Sequence, residues 1–490
     1  MSLEKLFAPC AADVAYKQDS QLKISLICRI DSYKFSHPFA YPDGIKGMTS
    51  YGEARVSSKE IIIPIGMQLL LKRYLTQRIT MADIDAAEAF AVAHFGRKLF
   101  ARAAWEKVVN EYDGALPLII RAVPEGTPIR GGQPIYTVTV LDKDLFWMSA
   151  GFETMIQRGI WYPTTIATMD YDIKRRIKQY YDNTGADLGL LPFALHDFGG
   201  RGVTSGETAE IGGMAHLVNF MGSDTVEGIL TANFYYKEAM AGYSVYATEH
   251  SIQCSFGGGS EDALRYLRKQ LSNAVPGCII SIVLDGYDVY REAELLCTVL
   301  KDEIIASKAK VVFRPDSGDM MEVVPRLLHL QATAFGTTLT SKGFKKINTV
   351  GIIQGDGVDH LAIVSLLGKI TAIMGFSADC VLFGSGGALL QKVNRDTFKF
   401  AQKACAILVD DENGNEYWKG IAKDPITDKG KKSKEGVLTL VRSKMNNELM
   451  VARLDNGPLD SEWEDMMKLV YYKGELFNET TFSEIRARCA

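Results

Sequence analysis

The chain has 490 residues, and its 47% hydrophobic content is enough to fill more than one large core. A formal net charge of only -4 provides no overall field that would attract a nucleic-acid polymer or an anionic membrane surface, so we expect neither as a partner. The composition therefore predicts a two-domain globular protein in which any anion-binding site is local.

No targeting or membrane-spanning segment is visible along the chain. The N-terminal residues lack a basic stretch followed by an unbroken apolar run, and the most apolar later stretch, 361–376, is interrupted by Ser365, Lys369 and Thr371. The 8 cysteines are scattered and include no Cys-x-x-Cys pair, which favours reduced thiols over disulfides or a zinc ribbon. We therefore expect a cytoplasmic protein.

The first part of the chain, 1–155, mixes two kinds of pattern. Helical periodicity is found over 67–79 and 81–109, and strand-like stretches are found over 118–123 and 134–140. Because the two patterns are interleaved without a regular alternation, they predict an α+β domain.

The middle of the chain, 156–395, has a βα rhythm. Short apolar runs recur, and each ends in glycine or polar residues before a stretch that suits a helix. Their spacing of about 30 residues is that of a βα unit and predicts an irregular, TIM-like β/α barrel. The predicted strands cover 193–195, 217–220, 243–245, 279–284, 311–313, 350–353 and 381–383.

The last segment, 396–490, is too polar to extend the barrel. It contains strand-like pieces at 406–409 and 437–441, and a lysine-rich run at 423–434 that has the composition of a solvated loop. We predict that this segment returns to the first domain, so that the α+β domain is built from both ends of the chain.

The predicted barrel brings distant residues together, because parallel strands deliver their carboxyl ends to one rim. The final predicted strand ends in the glycine-rich motif 383–387, ahead of a helical stretch. Glycine lets backbone N–H groups approach an anion, and the turns after the last strands of a barrel are a frequent phosphate site. The motif predicts phosphate binding; the alternative is a tight turn without a ligand.

Two further strand ends carry acid and glycine together, in the turns 314–319 and 354–359. Carboxylates at a barrel mouth can bind sugar hydroxyls or the magnesium of a bound pyrophosphate. Each turn taken alone is equally well an ordinary Asp-Gly turn, and it is their common position at neighbouring strand ends that favours a binding site. The candidate residues in these turns are Arg314, Asp316, Gly355 and Asp356.

Arg314 and His250 are candidates for the chemistry itself. Arg314 ends an apolar strand, where a guanidinium needs an anionic or planar partner such as a phosphate or an aromatic amide. His250 follows Glu249 at another strand end, where a histidine is either a hydrogen-bonded structural residue or a phosphate ligand and phosphoryl acceptor. The pair His196-Asp197 has the residue types of a metal-dependent hydrolase, although no second histidine pair at ligand spacing accompanies it.

Several longer motifs fall in order along the chain. They are Asp31-Ser32-Tyr33-Lys34, 196–203, 222–226, 249–251, 314–318, 354–359, 383–387, Arg395-Asp396 and Lys423-Asp424-Pro425. Through these motifs the sequence resembles the nicotinamide phosphoribosyltransferase family over most of its length. The resemblance implies transfer of the 5-phosphoribosyl group of phosphoribosyl pyrophosphate to nicotinamide, with release of pyrophosphate, in NAD salvage.

The resemblance also implies the assembly and the cofactors. It implies a homodimer whose active sites are shared between subunits, with Mg²⁺ as cofactor and ATP as an optional co-substrate that phosphorylates His250. Asp316 is a candidate magnesium ligand. The implied catalytic residues are His250, Asp285, Arg314 and Asp316.

The resemblance implies a nicotinamide pocket in which the ring stacks between Phe198 of one subunit and Tyr33 of the other. Asp224 would accept a hydrogen bond from the carboxamide and repel the carboxylate of nicotinate. Arg314 would lie near the amide, and Ser281 would line the base pocket. The implied phosphoribosyl and pyrophosphate residues are Arg201, His250, Gly355, Asp356, Gly386 and Gly387, with Arg55, Arg395, Lys403 and Lys423 contributed by the second subunit.

Two positions depart from the family pattern. Gly200 stands where a larger aromatic residue is common, and Tyr246 stands where proline is familiar, so we expect an altered pocket shape with the same reaction class. Three alternatives remain open. They are an enzyme of the same fold that uses nicotinate, against which Asp224 argues; a binding protein with an inactive barrel, against which the intact polar residues argue; and a metal hydrolase centred on His196-Asp197.

Overall fold

The computed structural model describes residues 24–427 and 432–490. Cys10 and the centre of the predicted loop 423–434 therefore lie outside the described residues. The cysteines in the described ranges are free thiols, as the sequence predicts. Within the same ranges, no helix combines the length and the apolar character needed to cross a membrane.

One part of the architecture is a seven-stranded antiparallel sheet that combines both ends of the chain. An inner strand, Gly47–Ala54, is buried along its whole length and pairs with Pro134–Val140 on one side and Phe400–Asp410 on the other. Gly52 is required in this strand, because a Cβ there would lie 2.2 Å from the ring of Tyr136. In spatial order the strands are Glu416–Gly420, Phe400–Asp410, Gly47–Ala54, Pro134–Val140, Ile119–Ala122, Lys468–Tyr472 and Glu475–Leu476.

Smaller sheets are also present. A three-stranded sheet from the C-terminal segment has the order Leu449–Arg453, Leu438–Ser443 and Trp463–Asp465. Two further pairs join Ile61–Ile62 to Ile129–Arg130 and Thr337–Leu339 to Lys345–Ile347.

The other part is a parallel sheet of seven strands that curls into an irregular barrel. The chain just before its last strand closes the ring, because Tyr243 forms a parallel bridge to Gly222 at the far end of the strand order. The predicted class, an α/β protein with an irregular β/α barrel, is thereby confirmed. In spatial order the strands are Gly222–Ser223, Leu195–Asp197, Val381–Ser385, Val350–Gln354, Lys310–Arg314, Ile279–Val283 and Tyr246–Ala247.

Three of the predicted barrel strands were placed too early in the chain. The run 193–195 contains the end of a 3₁₀ helix, and the strand is Leu195–Asp197. The run 217–220 is the buried turn after a helix, and the strand begins at Gly222. Both errors have one cause: a short apolar run fits a buried helix end as well as a strand. The run 243–245 provides the closing bridge, and its strand follows at Tyr246–Ala247.

The helices lie around the barrel and beside the antiparallel sheet. The predicted helix 81–109 is two helices, because Gly96 ends the first one in a left-handed conformation. Short 3₁₀ segments cover Leu26–Cys28, Ser32–Phe39, Leu188–Phe193, Gly200–Gly202, Ala378–Cys380 and Leu454–Asn456, and π-helical turns cover Leu71–Leu75 and Lys369–Ile373. The α-helices are Met67–Leu70, Met81–Phe95, Arg102–Tyr112, Met148–Gly151, Glu153–Thr184, Gly206–His216, Val226–Tyr235, His250–Cys254, Ser260–Leu271, Val289–Cys297, Lys301–Ser307, Met320–Phe335, His360–Gly368, Gly387–Leu390 and Phe482–Cys489.

The two largest hydrophobic cores of the described residues lie under the two sheets, and one long helix contributes to both. In Glu153–Thr184, the N-terminal residues Ile156 and Ile160 pack in the core of the antiparallel sheet, whereas Ile166 and Ile173 pack in the core of the barrel. The predicted domain boundary at 155/156 falls in the first turn of this helix. The division into 1–155, 156–395 and 396–490 stays a prediction.

The C-terminal segment contacts both parts of the molecule. Its strand Phe400–Asp410 pairs with Gly47–Ala54 in the antiparallel sheet. Its last helix, Phe482–Cys489, instead places Phe482 and Ile485 in the core of the barrel, where Arg486 donates hydrogen bonds to the carbonyls of Leu217 and Ala241. The end of the chain therefore fixes the antiparallel part against the barrel.

Candidate active site

A cavity of about 740 Å³ lies at the carboxyl ends of the barrel strands. Its walls come from the turns after six different strands, which is what a closed parallel sheet imposes. Eight of the residues expected from the sequence face this one space. The lining residues are Phe198, Gly200, Arg201, Asp224, Thr225, Glu227, Glu249, His250, Ser251, Arg314, Asp316, Gly355 and Gly386.

Phe198 forms the aromatic wall of the cavity. Its backbone N–H donates to the carbonyl of Ser385, which ties the residue to the neighbouring strand end. The ring lies directly over Gly384, where a Cβ would be 2.0 Å from Cε2 of Phe198. A glycine at position 384 therefore makes room for a flat ring that presents its face to a ligand.

Asp224 presents a carboxylate to the cavity. Oδ1 accepts a hydrogen bond from the hydroxyl of Ser244 and lies 3.2 Å from Nε2 of His196. Partial burial acts to raise the pKa of Asp224, but His196, Ser244 and the charge of Arg314 outweigh it and hold the pKa below its ordinary value. Asp224 is therefore an ionised hydrogen-bond acceptor at neutral pH.

Arg314 is the cationic counterpart of Asp224. It ends the strand Lys310–Arg314, and its backbone carbonyl accepts a hydrogen bond from the N–H of Leu284, which fixes the strand end. Its Nε atom is buried without a hydrogen-bond partner among the described residues. Because a buried guanidinium N–H is costly without an acceptor, this atom indicates that the cavity takes a ligand with acceptor oxygens.

His250 begins a short helix at the rim and is held by a carboxylate beneath it. Its Nε2 lies 3.0 Å from Oδ1 of Asp285, whose side chain is 4% exposed while that of His250 is 46% exposed. Asp285 is next to Gly286, whose N–H donates to the side chain of Gln253. Gln253 in turn donates to the buried carboxylate of Glu292, and burial raises the pKa of Glu292 to about 7.

Two glycine-bearing turns meet at the position predicted for a phosphate. The turn 199–202 carries Arg201, and a Cβ at Gly199 would lie 3.0 Å from the carbonyl oxygen of Gly386. The backbone of Gly387 has open space around it. Arg201 and the backbone N–H groups of Gly386 and Gly387 therefore provide donors around one corner of the cavity.

The two acid-glycine turns are also adjacent. Oδ1 of Asp316 would lie 2.8 Å from a Cβ at Gly355, so glycine allows this carboxylate to approach the neighbouring turn. Asp316 and Gly355 both line the cavity. Asp356 is exposed beside it, and its carbonyl accepts a hydrogen bond from Gln354.

Some predicted residues do not line this cavity. Asp285, Ser281, Asp356 and Gly387 lie directly behind or beside lining residues. Five others are on the antiparallel part or its neighbouring segments and do not line the cavity of their own chain: Tyr33, Arg55, Arg395, Lys403 and Lys423. These five are called the sheet-surface group below.

Four residues near the site were not predicted from the sequence as site residues: Ser244, Thr225, Glu227 and Ser251. Thr225 and Glu227 come just after Asp224 at the start of a helix. Their position near the site could be predicted from the sequence, but their role could not. Ser244 reaches Asp224 from a segment twenty residues away in the chain, with no motif that links the two. Only the closure of the ring brings that serine to the carboxylate.

His196 and Asp197 are not arranged as a metal site. The carboxylate of Asp197 accepts hydrogen bonds from the N–H of Gly199 and the hydroxyl of Ser223, so it organises the turn that carries Phe198. Gly222 leaves space for the His196 ring, since a Cβ there would lie 2.7 Å from Nδ1. Among the described residues, no three His, Cys, Asp or Glu side chains are grouped to hold a metal ion.

Comparison with known proteins identifies relatives over nearly the whole chain. Residues 193–473 match the nicotinate phosphoribosyltransferase (NAPRTase) family, and residues 25–120 match the nicotinamide phosphoribosyltransferase N-terminal domain. The chain is 42% identical to a nicotinamide phosphoribosyltransferase of Xanthomonas campestris pv. campestris (strain 8004), over 94% of this chain and 97% of that protein. It is 31% identical to a nicotinamide phosphoribosyltransferase of Acinetobacter baylyi, over 96% and 97% of the two chains.

Solved structures share the fold at much lower identity. A nicotinate-nucleotide pyrophosphorylase from Pyrococcus furiosus has a TM-score of 0.60 at 17% identity and covers 97% of this chain and 96% of its own. Human nicotinic acid phosphoribosyltransferase has a TM-score of 0.53 at 14% identity, with 94% and 92% covered. The solved structures show a shared fold. The relatives that are 42% and 31% identical over nearly the whole chain also show the family. The chain belongs to the nicotinamide phosphoribosyltransferase family, which carries the NAPRTase domain.

Proposed function

We propose that this protein transfers the 5-phosphoribosyl group of phosphoribosyl pyrophosphate to nicotinamide, giving nicotinamide mononucleotide and pyrophosphate in NAD salvage. The observation that carries the proposal is the ionised carboxylate of Asp224, which faces the same cavity as Phe198 and the unsatisfied guanidinium of Arg314. A flat ring with a neutral amide fits this set of groups. The relatives named nicotinamide phosphoribosyltransferase, at up to 42% identity, support it.

The nicotinamide ring would stack on Phe198, whose face is available because Gly384 leaves room for it. Asp224 would accept a hydrogen bond from the carboxamide NH₂, and Arg314 would donate to the carboxamide oxygen. Nicotinate would place a second carboxylate against Asp224, which is unfavourable in a partly buried site. Ser281 lies on the strand behind these residues and is proposed to shape the base pocket.

The phosphoribosyl pyrophosphate would occupy the more polar side of the cavity. Arg201 with the backbone N–H groups of Gly386 and Gly387 would bind a phosphate, because donors surround that corner. Asp316, Asp356 and the backbone of Gly355 would hold the ribose hydroxyls. His250 would contact a phosphate, with Asp285 holding its ring in place through Nε2.

The reaction follows from the charges in this arrangement. The bond between the anomeric carbon and pyrophosphate oxygen breaks, the electron pair leaves with pyrophosphate, and the pyridine nitrogen forms a new bond to that carbon from the opposite face. Arg201 and Arg314 would stabilise charge that grows on the leaving group and orient the amide. The ring nitrogen carries no proton at neutral pH, so no general base is needed, and positioning supplies the remaining rate enhancement.

Mg²⁺ is proposed as the metal cofactor. The donor set fits this ion, because Asp316 provides a carboxylate oxygen at the cavity wall while most other oxygens would come from the pyrophosphate and water, as magnesium prefers. When bound, the ion would neutralise charge on the pyrophosphate.

The sheet-surface group supports a homodimer with shared sites. These residues, predicted to complete the site, do not line the cavity of their own chain, and Tyr33 is 56% exposed. In a symmetric dimer the same surfaces of two chains meet reciprocally, so a group from each chain can complete the cavity of the other. Tyr33 would then cover the second face of the nicotinamide ring, and Arg55, Arg395, Lys403 and Lys423 would reach the pyrophosphate.

ATP is proposed as an optional co-substrate. Nε2 of His250 is directed at Asp285, which leaves Nδ1 as the ring nitrogen that could accept the γ-phosphoryl group of ATP, with ADP leaving. Water would later hydrolyse the phosphohistidine. Mass spectrometry of the intact protein after incubation with Mg²⁺ and ATP tests this step. A phosphoryl adduct absent from a His250→Ala variant is expected, and no adduct on the wild type contradicts it.

The function is tested by product analysis with nicotinamide or nicotinate at equal concentration, in the presence of phosphoribosyl pyrophosphate and Mg²⁺. We expect nicotinamide mononucleotide as the main product. Asp224→Ala should lower kcat/KM for nicotinamide by about 100-fold, since it removes a hydrogen bond to a charged acceptor. Asp302→Ala, at an exposed helix position, is the matched control and should leave kcat/KM unchanged.

Equal or better turnover of nicotinate by the wild type would replace nicotinamide with nicotinate in the proposal. Formation of neither mononucleotide would reject the phosphoribosyltransferase activity. Circular dichroism of the Asp224→Ala variant should match the wild type, because the residue lies at the rim and contributes little to a core.

A further inference from the structure

Ser244 lies opposite Asp224 across the closure of the barrel. It follows Tyr243, the residue that closes the ring, and it is exposed. Its hydroxyl donates a hydrogen bond to Oδ1 of Asp224. This contact joins two side chains at the two edges of the strand order, so it exists only because the sheet closes there.

The backbone holds these two residues at a fixed separation. The N–H of Ser223 donates to the carbonyl of Tyr243 at 3.1 Å, and the N–H of Tyr243 donates to the carbonyl of Met221 at 2.8 Å. The N–H of Asp224 donates to the carbonyl of Asp197 at 2.9 Å. The serine hydroxyl is therefore delivered to the carboxylate by main-chain hydrogen bonds on both sides.

The contacts on Asp224 are unequal between its two oxygens. Oδ1 receives the hydroxyl of Ser244 and lies 3.2 Å from Nε2 of His196. No protein donor to Oδ2 is found among the described residues, so this oxygen keeps its lone pairs for a ligand. A carboxylate rotates about a broad two-fold torsion unless contacts restrain it, and the hydrogen bond from Ser244 restrains it.

We propose that Ser244 is a specificity-determining positioning residue, which occupies Oδ1 of Asp224 so that Oδ2 faces the cavity as an acceptor for a primary carboxamide. This inference rests on the proposed function and names the residue that tunes its choice between amide and acid. Ser244 does not need to touch the substrate. It acts by keeping the acceptor oriented and charged, which favours an N–H donor and disfavours a second carboxylate.

The same hydroxyl also affects when Asp224 is charged. The titratable and charged side chains around Asp224 are His196 beside it, Arg314 across the cavity, and Arg201 and Glu227 in the same wall. Partial burial favours the neutral acid, and the contacts from His196, Ser244 and Arg314 hold the pKa low. Removing the hydroxyl should let the pKa of Asp224 rise, so nicotinamide turnover should be lost at a higher pH on the acid side.

The test compares Ser244→Ala, Ser244→Thr and the control Ser255→Ala with the wild type. Ser255 is also an exposed serine, but its hydroxyl donates to the carbonyl of Ile252 and lies outside the cavity. Each protein is assayed for kcat/KM with nicotinamide and with nicotinate, and for the KM of phosphoribosyl pyrophosphate. The acid limb of the nicotinamide pH profile is recorded as well.

We expect Ser244→Ala to lower the ratio of nicotinamide to nicotinate kcat/KM about tenfold, the effect of one hydrogen bond to a charged group. The KM of phosphoribosyl pyrophosphate should stay within about twofold, because the hydroxyl faces only the amide side. The acid limb should move to higher pH. Ser244→Thr, which keeps the hydroxyl, should restore the ratio, and Ser255→Ala should match the wild type.

An unchanged ratio in Ser244→Ala, or a parallel loss for both bases and for phosphoribosyl pyrophosphate, would overturn the inference, since the latter is the signature of a merely structural role. Failure of Ser244→Thr to restore the ratio would overturn it too. A wild type that does not use nicotinamide rejects the proposed function itself, which is a different result from a wild type that selects nicotinamide without help from Ser244.

Discussion

The barrel mouth and the sheet-surface group carry the same kinds of residue but differ in how one chain arranges them. At the mouth, Arg314, Asp224 and Phe198 converge on a single cavity. In the sheet-surface group, Arg395 pairs with its neighbour Asp396, and Lys403 donates to the carbonyl of Gln402 and lies 3.6 Å from Oε1 of Glu153. The mouth therefore gathers its groups around one space, whereas the residues of the sheet-surface group do not line that space in their own chain.

The topology of the two sheets explains this difference. A closed parallel sheet gathers its strand ends whatever their separation in the chain, so one chain can assemble the mouth. An antiparallel sheet with exposed edges has no such focal point, and residues on it gain a common target only from outside. We therefore expect the second region to act on the mouth of another copy, and four predictions probe this contrast.

The largest expected effect is on stability and concerns the barrel interior. His216 and Asp170 are both 0% exposed and paired at 2.7 Å, and Nε2 of His216 is bonded to the carbonyl of Gly222, two residues before Asp224. Asp170→Asn should lower the free energy of unfolding by about 3–5 kcal/mol, because it removes the counter-charge of a buried imidazolium. Urea unfolding measures this loss.

The matched control for that variant is Asp172→Asn, two residues away on the same helix. Asp172 pairs with Arg176 at 2.7 Å, with both side chains about half exposed. An exposed pair of this kind contributes less than about 0.5 kcal/mol. Equal losses in the two variants would mean that the barrel interior does not depend on its buried pair.

The second prediction concerns the contact between the antiparallel part and the barrel, here called the seam. The buried carboxylate of Glu125 accepts hydrogen bonds from the N–H of Met67 and from the hydroxyl of Tyr236, which belong to the antiparallel part and the barrel respectively. Burial raises the pKa of Glu125 from 4.5 to about 7 in spite of these donors. The folded protein then binds more protons than the unfolded chain across this window.

A raised carboxyl pKa stabilises the fold at low pH, and that contribution is lost as pH rises from 4.5 to about 7. The free energy of unfolding of the wild type should therefore fall across this window by about 3 kcal/mol more than that of Glu125→Gln. Glu60→Gln, at an exposed position, should follow the wild type. Parallel pH profiles for all three proteins would show that protonation of Glu125 does not affect the stability of the seam.

The third prediction tests directly whether the two regions meet between chains. Asp224→Ala disables the mouth and Arg395→Ala disables the sheet-surface group, each with an expected loss of about 100-fold in activity. Each variant alone should therefore be nearly inactive. Unfolding and refolding a one-to-one mixture should restore about one quarter of wild-type activity, because half the dimers are mixed and each mixed dimer has one intact site.

A mixture that stays as inactive as its components would show that the sites are not shared. The control is a mixture of Asp224→Ala with His250→Ala, both at the mouth. No activity should return there, since every site in every dimer contains a defect. Recovery in this control would contradict the assignment of His250 and Asp224 to one region.

The smallest expected effect concerns the aromatic wall of the mouth. Gly384→Ala would place a methyl group 2.0 Å from Cε2 of Phe198 and force the ring away from its stacking position. We expect the KM for nicotinamide to rise by up to about tenfold, the range of one aromatic contact, with little change for phosphoribosyl pyrophosphate. Gly206→Ala, where a Cβ meets open space, is the control. Equal KM values for all three proteins would argue against stacking on Phe198.

The barrel class and most residues of the mouth could be predicted from the sequence, because those features follow from local pattern. Strands such as Val350–Gln354 and Val381–Ser385 are short apolar runs bounded by polar turns, and the polar residue after each one lies at the rim by topology alone. Arg314 and Gly386 were found in this way. The strand near 217–220 was misplaced because a buried helix end has the same composition as a buried strand.

Contacts across the closure of the ring could not be found from the sequence. Ser244 has no pattern that ties it to Asp224, and Glu125 has none that ties it to Tyr236, because each pair is joined only by packing between distant elements. The five residues of the sheet-surface group were named from the family resemblance, and their contribution to a site stays a prediction.

The sequence by itself determined which residues could do the chemistry, because charge, glycine and aromatic side chains at strand ends are local properties of the chain. Only the tertiary structure decided which of them share a space and how each is oriented. The reason is geometric, because a parallel sheet that closes through Tyr243 and Gly222 sets the distances between strand ends. Those distances allow the hydrogen bond from Ser244 to Asp224, and they leave the guanidinium of Arg314 at a cavity without a protein partner for its Nε atom among the described residues.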